Sequence, residues 1–408
     1  MKTIKIFLIF TALVFGACAK QKPETTDSAD DVTTIAVQPI KIGELMPYTV
    51  FPEHIDDYRR GWRLAVEEIN AKGGVLGRPL EVIARDEQCD PGVAIRVAQE
   101  LLDRDNVFMW LGAGCTASAI TDLSKRLRVP FISSWTGYDS LVWENQHPYH
   151  FGFGAPVRVL AEIYADLAAQ QPHTRWATVG PNAQYGYDMV GAFVNALKER
   201  RPDIEIVEQQ WPSLSNVAAA ETIQALANKE PEALYLMVYG ADLAKLLRQG
   251  RARGFFENKF VIGDQTGLEF ILNTLGSETP VGWHACGYPT DLDETHPGGR
   301  FAARFNKRFG LLPDRTAAEA YTAIYFTKAA IEKAGRVDRE AFITTLPGMS
   351  LDTPFGNLHV REKDLQVEIA CWFGKTNVKD GKGVFVDYEW VDAEQYFPSD
   401  EEIAAMRG

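Results

Sequence analysis

Ala84-Arg85-Asp86-Glu87-Gln88-Cys89-Asp90-Pro91 and, further on, Trp110-Leu111-Gly112-Ala113-Gly114-Cys115-Thr116-Ala117-Ser118-Ala119 frame the segment that decides the fold. Cys89 follows a strand-like run, Leu80 to Ala84, and Cys115 follows a second apolar run, Val107 to Leu111. Between them Ala94, Val97, Ala98 and Leu101 fall on one face of a helix, so the segment reads as a β-α-β crossover. Parallel neighbouring strands bring both cysteines to the same sheet edge, where ligands of open α/β sheets bind. The spacing predicts a disulfide beside a ligand site.

The same alternation extends outward in both directions. Strand Ile40 to Gly43 leads to a helix expected from about Asp56, with Trp62, Ala65, Val66 and Ile69 on one face and Gly73-Gly74 as its stop; Val129 to Ser133 is a further strand. A second series runs through Trp176 to Gly180, a helix bearing Val190, Phe193, Val194 and Leu197, then Ile204 to Val207, Leu234 to Val238 and Phe260 to Gly263. Short apolar strands alternating with amphipathic helices mark parallel sheets covered on both faces, so the expected fold class is α/β, with two doubly wound parallel-sheet lobes. Pro156, Pro289 and Pro354 interrupt the series where one lobe gives way to the other, which predicts a three-crossover hinge. The expected division is 39–154 plus 288–352 for the first lobe, 155–287 plus 353–395 for the second, and 396–408 as a C-terminal tail.

Lys2 and Lys5 precede an apolar run from Ile6 to Phe15 that ends at Gly16-Ala17-Cys18, too short to span a bilayer and typical of a secretory signal. Small residues before a cysteine point to lipidation at Cys18, with 1–18 as signal peptide and lipobox; the alternative is ordinary cleavage at Ala17-Cys18-Ala19. Residues 19–38 have the composition of a flexible tether. The formal charge of −13 argues against nucleic acid as a partner, because phosphate binding needs clustered Lys and Arg. Beyond Cys18 the chain has Cys89, Cys115, Cys286 and Cys371, an even set that permits two disulfides in any of three connectivities.

Cys89-Asp90-Pro91, the later Cys115-Thr116, Ile69-Asn70-Ala71-Lys72-Gly73-Gly74-Val75-Leu76-Gly77 and Thr353-Pro354-Phe355-Gly356 occur in an order that resembles the leucine/isoleucine/valine-binding proteins of bacterial ABC importers, the type I periplasmic binding family. The resemblance implies the periplasmic binding protein type I fold and a monomer that closes on a small organic solute and presents it to an ABC permease in the inner membrane, with no cofactor. It also favours pairing of Cys89 with Cys115, and leaves Cys286 and Cys371 open. The alternative function on the same fold is a ligand-sensing receptor subunit.

The loops after the first-lobe strands carry Thr116, Ala117 and Ser118, then Ser133, Ser134, Trp135, Thr136 and Gly137. Hydroxyls and free amides at a helix N-terminus suit a carboxylate, so Thr116 and Thr136 are the expected anion holders, although Thr116 and Ser118 equally suit a helix cap. Facing them, Tyr185, Tyr239 and the pair Asp264-Gln265 match the positions where amino-acid-binding relatives place aromatic lids and the acid that holds the ammonium. The acidic position falls on neutral Gln265, with Asp264 one place before it: Asp264 turned inward favours an amino acid, Gln265 turned inward a neutral amide or an organic acid. Tyr48, Phe51, Trp135 and Tyr138 add aromatic surface. A branched-chain or other apolar amino acid is the first expectation, aromatic acids or aliphatic amides the next. Enzyme readings are weak: Gly112-Ala113-Gly114-Cys115-Thr116-Ala117 fits a dinucleotide pattern but follows a later strand. His147-Pro148-Tyr149-His150 lacks further metal ligands.

Overall fold

A computed structural model describes residues 37–135, 137–214 and 216–407; Cys18 and Thr136 lie outside the described residues. The first sheet is built from β1 (Ile40–Met46), β2 (Leu80–Asp86), β3 (Met109–Gly112), β4 (Phe131–Ser133) and β5 (His150–Gly152), all parallel, in the order β2-β1-β3-β4-β5. Ile40, Ile42, Leu45 and Met46 of β1 are buried, as a strand covered on both faces requires. The helices that cover this sheet include α1 (Pro52–Ala71), α2 (Pro91–Asp103) and α3 (Ala117–Leu127). Pro52 occupies the first turn of α1, four residues before the expected start, where its missing N–H costs nothing. In the Cys-Asp-Pro motif Cys89 takes a positive φ of 51°. Asp90 then caps α2 by accepting from the Val93 N–H at 2.8 Å, and Pro91 begins the helix.

The chain leaves this sheet after β5 through Pro156, the N-cap of α4 (Val157–Ala169). The second sheet follows: β6 (Arg175–Val179), α5 (Gln184–Arg200), β7 (Glu205–Gln210), α6 (Ala219–Ala227), β8 (Ala233–Leu236), α7 (Gly240–Ala252), β9 (Phe260–Gly263), α8 (Glu269–Leu275) and β10 (His284–Gly287). Past Pro289 come α9 (Pro297–Phe309), α10 (Arg315–Ala334) and α11 (Arg339–Thr345), then a hairpin of β11 (Ser350–Thr353) and β12 (Gly356–His359). Helix α10 packs tightly on α1: a Cβ on Gly61 would stand 2.0 Å from the Ala317 carbonyl oxygen. Finally β13 (Trp372–Lys379) and β14 (Lys382–Trp390) join the second sheet antiparallel, giving the order β14-β13-β10-β9-β8-β6-β7.

Two expectations about the late segment differ from the structure. Pro354 was expected at the third crossing, but it sits in the two-residue turn between β11 and β12. The following Gln366 still bridges to Gly152 at the edge of the first sheet, and Phe355, Leu358 and Val360 share the core of α1 and α10. The crossing therefore falls between Gln366 and Trp372, because the apolar hairpin residues need the first core for burial. The expected C-terminal tail contains α12 (Asp400–Arg407), which buries Ile403 and donates from Arg407 Nε to the Trp143 carbonyl at 3.2 Å.

Candidate functional site

In each sheet the first strand lies between the second and the third, so β1/β3 and β6/β8 are the points where the chain reverses its direction of winding. Loops beyond the carboxyl ends of strands diverge there and leave a crevice. A cavity of about 320 Å³ occupies it, within the size range of small-molecule sites. One wall comes from the first sheet: Phe51 and His54 beyond β1, Gly114 and Cys115 beyond β3, Trp135 and Tyr138 beyond β4. The opposite wall comes from the second: Tyr185 beyond β6, Tyr239 and Asp242 beyond β8, Gln265 and Phe270 beyond β9. Arg315, the first residue of α10, and Glu53 of α1 also line it.

Aromatic contacts span the crevice. Phe51 meets Tyr239 edge to face at 5.6 Å, Tyr138 meets Tyr185 at 6.0 Å, and His54 meets Phe270 at 5.2 Å. Trp135 Nε1 donates to His54 Nε2 at 2.8 Å, which makes Nε2 the acceptor and leaves the proton on Nδ1. The ring is neutral, because burial and then the Arg315 charge push its pKa down to about 3. The hydroxyls of Tyr138, Tyr185 and Tyr239 have no hydrogen-bond partner among the described residues. All three tyrosines line the cavity.

Arg315 is 8% exposed. Its Nη1 donates to Cys286 Sγ at 3.3 Å, and Glu319 Oε1 lies 3.5 Å from its Nε without hydrogen-bond geometry, so Nε has no partner among the described residues. Burial opposes its charge, but Glu319 and Asp264 outweigh burial and hold the guanidinium above its ordinary range. A buried cation at the wall of a largely aromatic cavity suits a carboxylate.

Of the residues singled out from sequence, the structure brings Trp135, Tyr185, Tyr239 and Gln265 to the cavity. Thr116 and Ser118 do not line it. Thr116 is buried with its hydroxyl unpartnered among the described residues, Ser118 is exposed, and the lining from that loop comes from Gly114 and Cys115. Gly137 is a packing position, since a Cβ there would lie 2.8 Å from Pro156 Cα. Asp264, expected as an ammonium holder, is buried behind the wall and accepts from Tyr164 Oη at 2.6 Å and Gln265 Nε2 at 2.5 Å. Thr136 lies outside the described residues. Arg315, His54, Asp242 and Phe270 were not anticipated.

Cys89 and Cys115 face each other at the rim with Cα atoms 4.9 Å apart, and Cys286 of β10 and Cys371, the residue before β13, lie 5.9 Å apart at Cα. Beside the first pair the Cys115 N–H donates to Glu87 Oε1 at 3.1 Å. Burial pushes the Glu87 pKa up to about 8 in spite of that bond. His147 and His150 are held structurally: His147 Nε2 lies 3.0 Å from the Thr121 carbonyl oxygen, and His150 Nε2 2.8 Å from Ser133 Oγ.

A family described as periplasmic binding protein matches residues 39–382, most of the chain. The chain belongs to the periplasmic binding protein family. A leucine-, isoleucine-, valine-, threonine- and alanine-binding protein of Pseudomonas aeruginosa is 26% identical over 348 residues, covering 81% of this chain and 88% of that one. Among solved structures, a solute-binding protein of an ABC transporter from Rhodopseudomonas palustris BisB5, in complex with 3,4-dihydroxybenzoic acid, has a TM-score of 0.77 at 23% identity and covers 87% of this chain and 98% of its own. A leucine binding protein from Thermotoga maritima has a TM-score of 0.75 at 18% identity, covering 86% and 98%. The protein is thus a type I periplasmic binding protein, and its relatives are binding proteins, not enzymes.

Proposed function

We propose that this periplasmic binding protein captures a small organic carboxylate with an aromatic or bulky apolar body and, by lobe closure, hands it to an ABC permease. The observation that carries the reading is Arg315, a buried guanidinium whose Nε has no hydrogen-bond partner among the described residues, at a cavity that Phe51, Trp135, Tyr138, Tyr185 and Tyr239 line together with Glu53, His54, Asp242 and Gln265. Arg315 holds the carboxylate, the free phenols supply further donors, and the rings stack on the body of the solute. This order places aromatic acids ahead of the branched-chain amino acids first expected, because Asp264 is committed to Tyr164 and Gln265. The benzoate, 4-hydroxybenzoate and 3,4-dihydroxybenzoic acid complexes of structurally similar binding proteins support it. An amino acid is the second reading, favoured by Asp242, which lines the same cavity and among the described residues pairs only with the half-exposed Lys245, 3.2 Å away.

The test is a thermal-shift screen that pairs each acid with its neutral amide: benzoate with benzamide, 4-hydroxybenzoate with its amide, leucine with leucinamide. Stabilisation by benzoate and not benzamide is the expected outcome. Equal shifts from an acid and its amide would remove the carboxylate from the reading, and a shift from leucine alone would move the assignment to amino acids. We further propose a first lobe of residues 39–154 plus 288–367, a second of 155–287 plus 368–395, a disulfide between Cys89 and Cys115, and lipidation at Cys18. Membrane fractionation unchanged in Cys18→Ser would show ordinary signal cleavage instead.

A further inference from the structure

Arg315 serves two environments at once. Its guanidinium lines the solute cavity, and on the other side lies Glu319, one turn along α10 and 2% exposed. Glu319 Oε2 has no hydrogen-bond partner among the described residues. The groups around this pair are few. Arg315 is the charge that acts on Glu319; Tyr58 of α1 faces Glu319 with its hydroxyl already 2.5 Å from Ser134 Oγ; Asp264, Tyr164 and Tyr185 bear on Arg315 from the second lobe. Asp314, the adjacent N-cap of α10, faces Asp57 and Glu269, accepts from the Arg315 N–H at 2.6 Å and is also acted on by the Arg315 charge, as is His54 of α1.

An ionised carboxylate this deeply buried is tolerable only with its counter-charge. When a solute carboxylate takes the guanidinium, two anions compete for one cation, and the buried one is neutralised most easily by a proton. We infer that Glu319 takes up a proton when a carboxylate solute docks on Arg315, so that capture couples one anion to one proton. The inference rests on the proposed role of Arg315. It is consistent with the free-state balance at Glu319, where burial raises the carboxyl, Arg315 lowers it, and the result is about 7. By reciprocity, affinity falls as pH rises above that midpoint, approaching tenfold per pH unit, and levels off below it.

The test is calorimetric titration with benzoate in buffers of different protonation enthalpy. About one pH unit above the midpoint, nine-tenths of Glu319 is ionised, so uptake of roughly 0.9 proton per benzoate is expected in the wild type. Glu319→Gln should bind benzoate with no uptake and with affinity nearly independent of pH, and Asp314→Asn, the other buried carboxyl on which Arg315 acts, should keep most of the uptake. A wild-type enthalpy that does not depend on the buffer, or uptake that survives Glu319→Gln, overturns the inference. Failure of benzoate to bind at all counts against the carboxylate reading, and the coupling is then read without solute. Arg315→Met should gain the infrared carbonyl band of a protonated carboxyl at a pH where the wild type lacks it, and the double variant Arg315→Met/Glu319→Gln should lose it. No new band in Arg315→Met refutes the coupling by itself.

Discussion

Arg315→Met removes the guanidinium while keeping much of its apolar stem, and its consequences for binding and for folding separate by pH. For binding, a charge-assisted hydrogen bond contributes about 1.5 to 3 kcal/mol, so benzoate affinity should fall roughly 10- to 150-fold. For folding, deleting one member of a buried pair typically costs about 3 to 5 kcal/mol when the survivor stays charged. Glu319 need not stay charged, since its carboxyl already sits at about 7, raised from an ordinary 4.5 chiefly by burial. A carboxyl whose folded pKa is raised contributes stability that is fully present below its unfolded pKa and is lost as pH rises through the folded one. Loss of Arg315 moves the folded value higher still, so the variant should melt near wild type at about pH 6 and fall behind it progressively above about pH 7. Calorimetry with benzoate at the lower pH, beside melting curves across the range, isolates the binding effect. A variant that melts like wild type at about pH 6 and still binds benzoate within threefold would refute Arg315 as the anchor.

Other outcomes follow from features away from the guanidinium. A bond between Cys89 and Cys115, 26 residues apart, should contribute about 3.5 kcal/mol on the chain-entropy account, and one between Cys286 and Cys371, 85 apart, about 4.6 kcal/mol. Denaturation of the two double-serine variants checks both values, and peptide mapping that finds free thiols refutes the corresponding bond. Phe51→Ala combined with Tyr239→Ala should show a coupling of about 0.5 to 1.5 kcal/mol in benzoate affinity, from a double-mutant cycle; additive effects would deny the contact a role in closure. Glu87 is raised by burial from 4.5 to about 8, so it weakens the fold progressively as pH climbs through that window. Glu87→Gln keeps an acceptor for the Cys115 N–H and should flatten the melting temperature against pH there; an unchanged slope would contradict the assignment.

Continuous apolar runs made the central strands readable from sequence. Phe260–Gly263 coincides with β9, and the neighbouring runs agree with their strands to within a few residues. Segments with weaker signals were missed. Three-residue β5 is too short for a pattern, and the antiparallel pair β13–β14 went unread although Asp380-Gly381, with φ of 52° and 75°, is a readable hairpin turn. The site divides the same way. Residues beyond strand ends, such as Trp135, Tyr185 and Tyr239, could be placed because topology dictates where those loops go. His54 escaped because α1 was started at Asp56, when Pro52 marks the first turn. Arg315 escaped because an arginine after a capping aspartate reads as a solvated helix start; only the packing of α10 on α1 shows that it is enclosed. Thr116 and Asp264 had the right chemistry and the wrong environment, which no local pattern encodes.

The three aromatic pairs that join Phe51 to Tyr239, Tyr138 to Tyr185 and His54 to Phe270 carry a consequence for transport economy. At about 0.5 to 1.5 kcal/mol each they supply roughly 1.5 to 4.5 kcal/mol toward the shut conformation before any solute arrives. A solute therefore needs to supply only the remaining preference for that conformation, so even a small acid suffices to close the jaws. Under the proposed role in transport, the same bias limits discrimination, because an empty receptor that shuts too readily would present itself unloaded to the permease. If the ligand-free molecule rests open, the hinge offsets this bias by a comparable margin, and lengthening or stiffening the segments at Pro156, Pro289 and Gln366 to Trp372 would shift unliganded closure and apparent solute affinity together.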